Sequence, residues 1–391
     1  MNQRLLVMSS VRNSSSAYAN SKPHYLLLDG LRGVAALMVL WFHVFEGYAS
    51  SPMDQWFNHG YLAVDFFFML SGFVVAYAYD DRWQSMSMGQ FFKRRLIRLH
   101  PMVVFGVVLG IVTFCVQGAV RWDGEQVQLW SIAACALLAL FMIPVLPGAH
   151  ADVRGNGEMF PLNGPTWSLF FEYVANMMYA FWVRKLSTKA LKLLVVVFGA
   201  LLVGFCVGNF SGFGHIGVGW TLADNNLLGG LIRVMFPFTM GLLISRCFRP
   251  VKIRGAFWIC SLLLGALLAV PHLGDEQSFW LNGLYDAFCV AVAFPLIVWL
   301  GASEKSTDGC STRLYRLLGD ISYPVYVIHY PFYYLFYAWL WKDGFDARPT
   351  FAETWPVALC LFIAMPLLAW VVLKLYDEPV RRMLARRFLK K

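Results

Sequence analysis

Eleven stretches of this chain are apolar over windows of about 19 residues. They lie near 34 to 50, 61 to 79, 99 to 118, 129 to 146, 166 to 183, 191 to 208, 227 to 246, 255 to 272, 279 to 300, 317 to 340 and 356 to 376. A bilayer core offers no water to backbone N–H and C=O groups, so such segments must satisfy them internally, as helices do. With 59% hydrophobic residues, 17% aromatics and only 14% charge across 391 residues, nearly the whole chain belongs in lipid rather than in two or three soluble domains. The expected fold class is all-α, a polytopic integral membrane helical bundle.

The placement of charge gives this bundle a direction. A net charge of +9 would suit nucleic acid if it formed one patch, but Lys and Arg gather in short loops between apolar runs. These are Arg82 to Arg98, Arg184 to Lys192, Arg246 to Arg254, Lys305 to Arg316 and the end from Arg381 to Lys391. Segments 51 to 60, 209 to 225 and 272 to 279 carry no Lys or Arg. By the positive-inside rule the basic loops are cytoplasmic and the others external, with no nucleic acid as partner.

If both termini are cytoplasmic the crossings are even in number, whereas the apolar segments number eleven. The expectation is therefore about ten transmembrane helices and one further re-entrant or non-spanning segment, located between residues 99 and 165. Residues 1–24 are polar and Ser-rich, without the apolar core of a signal peptide, and read as a disordered cytoplasmic tail. The membrane domain is 25–382 and the basic tail 383–391. The eight cysteines are scattered with no C-x-x-C pair, so they read as small buried hydrophobes and no metal site is expected.

Ionisable groups inside apolar runs are costly and mark function more often than not. In LDGLRGVAALMVLWFHVF, Arg32 and His43 are eleven residues apart, which on a helix is about 20° past three turns and about 16 Å along one face. Glu46 lies one turn beyond, able to orient the imidazole or to stand as an interfacial carboxylate. Asp65 in DFFFMLSGF, Glu172 in NGPTWSLFFE and Arg233 in GGLIRVMF all count to the outer half of the bilayer. They are expected to share one polar cavity with His43 or to form a charge-satisfying network. Ser168 shares a helix face with Glu172, while Ser71 and Gly72 read as a small-residue packing seam. Arg95 and Arg98, three apart, read either as an anchor or as a forked anion site. His329, at mid-depth in ISYPVYVIHYPF, is a candidate site residue or a simple interhelical hydrogen-bonder. Asp377, Glu378 and Pro379 read as a helix stop.

These motifs, in this order from Leu28 to about Arg382, resemble the acyltransferase-3 family of integral membrane acyltransferases, which O-acylate bacterial glycans and related molecules. The resemblance rests on LDGLRG followed by His43, DFFFMLSGF, the RLIR pair before Pro101, NGPTWSLFFE, ISYPVYVIHYP and a final DEP. It implies a bacterial inner-membrane enzyme using acyl-CoA, usually acetyl-CoA, as a donor substrate with no permanently bound cofactor. The acceptor would be a hydroxyl of a carbohydrate or lipid-linked glycan, and proteins of envelope-polymer biosynthesis are possible partners beside membrane lipid. Arg32, Arg95 and Arg98 would hold CoA, and His43 would act as general base or carry the acyl group itself. Glu172 or Asp65 would tune His43 or position the acceptor, with Trp167, Ser168, Arg233 and His329 as substrate-binding residues. Glu46 falls outside the family's pattern, and a glycan exporter is the alternative that intramembrane charges allow equally.

Overall fold

The structure is a computed structural model that describes residues 25–251, 253–303 and 309–389, so the N-terminal tail expected at 1–24 lies outside the described residues. It is helical throughout, with two isolated β-bridges and no strand among the described residues. The helices are α1 (Leu26–Glu46), α2 (Ala63–Tyr79), α3 (Met88–Val116), α4 (Leu129–Leu140), α5 (Thr166–Phe181), α6 (Thr188–Val207), α7 (Asn226–Cys247) and α8 (Ala256–Ala269). They continue with α9 (Phe279–Ser303, with a π turn at Cys289–Ala293), α10 (Gly309–Leu340), α11 (Phe351–Val372) and, after a π turn, α12 (Glu378–Phe388). Every one of the eleven apolar runs falls on a helix. Seven helices among the described residues are long and apolar enough to cross a membrane, and α4 and α8 are shorter apolar helices.

Two runs differ from the expectation in an informative way. The run expected at 99 to 118 begins at Met88, because Ser87 and Gln90 close a reciprocal capping box that starts the helix early. Arg95 and Arg98 are thereby inside a 29-residue helix. The run at 129 to 146 stops at Leu140 after 12 residues, about 18 Å of helix against a hydrocarbon core of about 30 Å. Met142 takes a positive φ of 55°, and Pro144 and Pro147 follow, so the helix cannot continue. α4 is thus the short apolar segment in the region where a non-spanning one was expected. The helix stop expected at Pro379 is also overturned. Pro379 sits in the first turn of α12, where a missing N–H costs nothing, and α12 carries the chain past residue 382 to Phe388.

α1 and α10 form the central pair, running parallel. Arg32 donates to Ser322 Oγ (2.8 Å) and to the Gly319 carbonyl (3.1 Å) at one end. Tyr333 donates to the Leu40 carbonyl (3.0 Å) and Tyr337 to the His43 carbonyl (2.6 Å) further along. α2 and α7 form the second close pair. There a Cβ on Gly72 would stand 2.0 Å from the Phe238 carbonyl oxygen, so the backbones approach as closely as glycine permits. Gly72 is accordingly a packing residue, as its sequence suggested.

Residues 141–165 fold back over the end of the bundle opposite the basic loops. Asp152 shapes this loop by accepting the backbone N–H groups of Gly148 (3.2 Å), Gly155 (3.0 Å) and Gly157 (3.0 Å). Further on, Asn163 donates to the Val327 carbonyl (2.8 Å). Pro331 lacks the N–H that would have bonded that carbonyl in α10, so the loop supplies the missing donor. A bridge between Glu158 and Thr221 ties this loop to the segment before α7.

Candidate active site

At the end of the bundle away from the basic loops, α1, α5, α7, α10 and the loops 47–62, 141–165 and 208–225 surround a cavity of about 470 Å³. His43 and Glu46 enter it from α1. Trp167 comes from α5, Arg233 from α7, Tyr326 and Tyr330 from α10, and Asn156, Glu158, His215 and Trp220 from the loops. Its volume is that of a small-molecule site, with aromatic walls and a few convergent polar groups.

His43 is held from both sides. Its Nδ1 lies 2.7 Å from Glu46 Oε2, and the Tyr337 hydroxyl shares its one proton between the His43 carbonyl (2.6 Å) and that carboxylate oxygen (3.0 Å). With Nδ1–H directed at a carboxylate, the lone pair stands on Nε2, left for the cavity that the ring lines. The His329 ring lies 5.3 Å from that of His43. It is fully buried, its Nδ1 is 3.1 Å from the Val325 carbonyl, and its Nε2 has no partner. His329 is not among the residues that line the cavity; it packs behind His43.

The three acidic and basic groups expected to share this cavity are divided by the structure. Asp65 and Arg233 form a fully buried pair, with Arg233 Nη2 2.6 Å from Asp65 Oδ2 and Nε 3.2 Å from both carboxylate oxygens. Two further N–H groups of Arg233 reach the carbonyls of Val218 and Tyr61 (2.8 Å each), and its guanidinium lies 5.1 Å from the Trp167 ring. Arg233 thus fastens two strips of the cavity wall, and Asp65 neutralises it from behind.

Glu172 belongs elsewhere. It accepts Arg95 Nη2 (2.6 Å) and Ser71 Oγ (2.9 Å) and does not line the cavity. The expected shared depth fails because α5 starts below the folded-back loop and has only 16 residues, so six residues from its start already reach the helix midpoint. Ser71, read as packing, is a hydrogen-bond donor to this carboxylate. Ser168 bonds the Pro165 carbonyl (3.0 Å) and Tyr326 Oη (2.6 Å) and stays behind the wall that Trp167 forms.

Arg32, Arg95 and Arg98 lie toward the basic end, outside the cavity. Arg32 also pairs with Asp29 (3.3 Å). Arg95 keeps a buried Nε without a partner. Arg98 stands within electrostatic range of Arg32, Arg381 and Asp377, with no ion pair of its own among the described residues. Unspent guanidinium donors in a cationic cluster suit an anion with several oxygens.

Sequence reasoning missed Glu158 and its neighbours. Tyr334 donates to Glu158 Oε2 and Asn156 Nδ2 to Oε1 (2.8 Å). Burial lifts this carboxyl to about 7, against the pull of Arg154. His215 is pushed the other way, to about 3, by burial. A lone Glu in a loop reads as solvated. Only the flanking Gly155 and Gly157, both at positive φ (73° and 75°), hinted at a shaped turn.

A sequence profile described as "Acyltransferase domain" matches residues 25–374. The chain is 34% identical over 184 residues to "Protein 2 in picA locus" of Rhizobium radiobacter, covering 46% of this chain and 93% of that protein. It is 25% identical to "Acyltransferase MdmB" of Streptomyces mycarofaciens over 92% of both chains. To "O-acetyltransferase OatA" of Staphylococcus aureus it is 24% identical, covering 79% of this chain but only about half (51%) of that protein. No solved structure matches the chain.

Proposed function

We propose, from the premise that this chain belongs to the acyltransferase-3 family and is a multi-pass membrane O-acyltransferase, that it moves an acetyl group from acetyl-CoA to a hydroxyl of a cell-envelope sugar or glycan. The membrane is the bacterial inner membrane, with both termini cytoplasmic, so the basic end faces the donor and the cavity faces outward. The observation that carries this reading is the Glu46–His43 pair on the wall of an aromatic, carboxylate-bearing cavity.

In this reading Nε2 of His43 takes the proton of the acceptor hydroxyl as its oxygen attacks the acyl carbon. The imidazolium that forms is stabilised by Glu46, in the manner of an oriented base and its carboxylate. The C–S bond of the thioester breaks, an ester C–O bond forms, and the proton passes from His43 to the departing thiolate. The donor supplies the acyl group as an activated thioester. Arg32, Arg95 and Arg98 would bind its phosphates, which the unpartnered donors on Arg95 and Arg98 support. Glu172 positions Arg95, and the Asp65–Arg233 pair positions the cavity wall. Trp167 offers an aromatic face to the acceptor, Ser168 braces it from behind, and His329 backs the His43 ring from outside the lining, the two ring centres 5.3 Å apart.

The test is transfer of label from acetyl-CoA to membrane glycan by vesicles carrying the wild type or His43→Ala, matched for inserted protein. Transfer that disappears with His43→Ala supports the reading. A His43→Ala protein that inserts normally and transfers at the wild-type rate would remove His43 from the chemistry.

A further inference from the structure

The cavity's charge inventory carries a statement about the acceptor. Besides the phenols of Tyr61, Tyr326 and Tyr330, five lining side chains are ionisable: His43, Glu46, Glu158, His215 and Arg233. Arg233 directs four of its five N–H groups to Asp65 and two backbone carbonyls, and the Asp65 carboxylate, 2.6 Å away, offsets its charge. His215 Nδ1 accepts the Gly217 N–H (2.8 Å), so that nitrogen carries no proton and the ring is neutral. What faces a ligand is therefore two carboxylates, and the one lining arginine already has a carboxylate of its own.

Two arginines stand nearby without changing this. Arg154 is buried behind Tyr334, with its guanidinium 3.3 Å from that ring's centre, and donates to the Pro161 carbonyl (2.7 Å) and Gln117 Oε1 (3.0 Å). It attracts Glu158 electrostatically but is not among the cavity-lining residues. Arg348 is likewise not among the lining residues and directs four of its five N–H groups to the Tyr48 and Phe345 carbonyls and Ser50 Oγ. Glu158 itself is 7% exposed, and each of its oxygens receives one hydrogen bond, from Tyr334 or Asn156. A carboxylate oxygen accepts two, so each retains one acceptor site.

Resting on the acyl-transfer reading, we propose that Glu158 determines acceptor specificity: it accepts hydrogen bonds from hydroxyls flanking the one that is acylated and, with Glu46, rejects acceptors bearing an acidic group. The acceptor is then an uncharged, polyhydroxylated ring. Its hydroxyls find carboxylate and amide oxygens, and its C–H faces find Trp167, Trp220 and Tyr330. An acidic sugar would place an unpaired anion against two carboxylates, and like-charge juxtaposition of that kind is a strong rejecting element.

The experiment measures kcat/KM at pH 8 in membrane vesicles, with labelled acetyl-CoA and three pairs of probes. The probes are the methyl glycosides of glucose, galactose and mannose, each beside its uronate. The wild type is expected to favour the neutral member by at least about tenfold. Glu158→Gln, which keeps size and an acceptor oxygen but loses the charge, is expected to shrink that ratio severalfold while raising KM for the neutral sugar. The ratio is taken within one preparation, so it does not depend on how much variant protein folds. Lowering the pH below 7 is expected to shrink the wild-type ratio more than that of Glu158→Gln. Preference for uronates by the wild type, or an unchanged ratio in Glu158→Gln, overturns the assignment and leaves acyl transfer standing. No transfer to any of the six probes by the wild type counts against acyl transfer itself.

Discussion

Nδ1 of His43 sits 2.7 Å from Oε2 of Glu46, one helical turn away on α1. The pair fixes the imidazole tautomer from within a single helix, and the Tyr337 hydroxyl of α10 shares its proton between the same oxygen and the His43 carbonyl. Glu46→Gln offers Nδ1 a group that can present an N–H instead of an acceptor, so the wrong tautomer becomes accessible. The expected result is a fall in kcat of about 10² to 10³, by analogy with an oriented base deprived of its carboxylate. KM for acceptor should change much less. Tyr337→Phe leaves the carboxylate in place and should cost about tenfold or less. Steady-state kinetics on both variants separates the two roles, and equal losses would argue that Glu46 acts only through packing.

The Asp65–Arg233 pair makes a prediction about stability rather than chemistry. Asp65→Asn leaves a guanidinium buried with no counter-charge, which costs about 3 to 5 kcal/mol. The variant should insert poorly or melt well below the wild type in detergent. Replacing both partners, as Asp65→Leu with Arg233→Met, should recover part of the loss, because two apolar groups leave no buried charge behind. If the double variant is as unstable as Asp65→Asn alone, the carbonyls of Val218 and Tyr61 that Arg233 bonds outweigh the ion pair.

Arg98 has no ion pair among the described residues, so its removal should be silent in the melting temperature. Arg98→Ala is expected to raise KM for acetyl-CoA by about tenfold, the worth of one charge-assisted contact, with KM for acceptor unmoved. Glu172→Gln should act on the same parameter through Arg95, whose guanidinium it anchors at 2.6 Å. An effect of Arg98→Ala on acceptor KM alone would move that arginine out of the donor site.

The relations that sequence made legible are those confined to one element. Arg32, His43 and Glu46 ride one helix, so fixed geometry places them before any packing is known. Gly72 showed its packing role in the same way, as a small residue in an apolar run. Depth across elements was not legible. The depth of Glu172 follows from sequence only if its preceding external loop lies at the membrane surface, whereas residues 141–165 fold inward and lower the start of α5. Arg95 then meets Glu172 from the other side because a capping box begins α3 eleven residues before its apolar run. Glu158 was invisible for a related reason. Its burial depends on Asp152 gathering three glycine amides and on Tyr334, 176 residues away, and neither leaves a periodic trace.

Glu158 also ties stability to pH with a definite sign. Its carboxyl is raised from 4.5 to about 7 in the folded protein, so between those values the unfolded chain has released a proton that the native state retains. Stability therefore falls as pH rises through that window, and this contribution is constant below 4.5 and above about 7. At full extent the effect is on the order of 3 kcal/mol. Glu158→Gln removes the titration, so its melting temperature relative to the wild type should climb between pH 5 and pH 8 and then level off. Thermal unfolding in detergent across that range reads the difference directly. A difference that stays flat would mean that Glu158 ionises as freely in the folded protein as in the unfolded chain, which its bonds to Tyr334 and Asn156 would then have to achieve against burial.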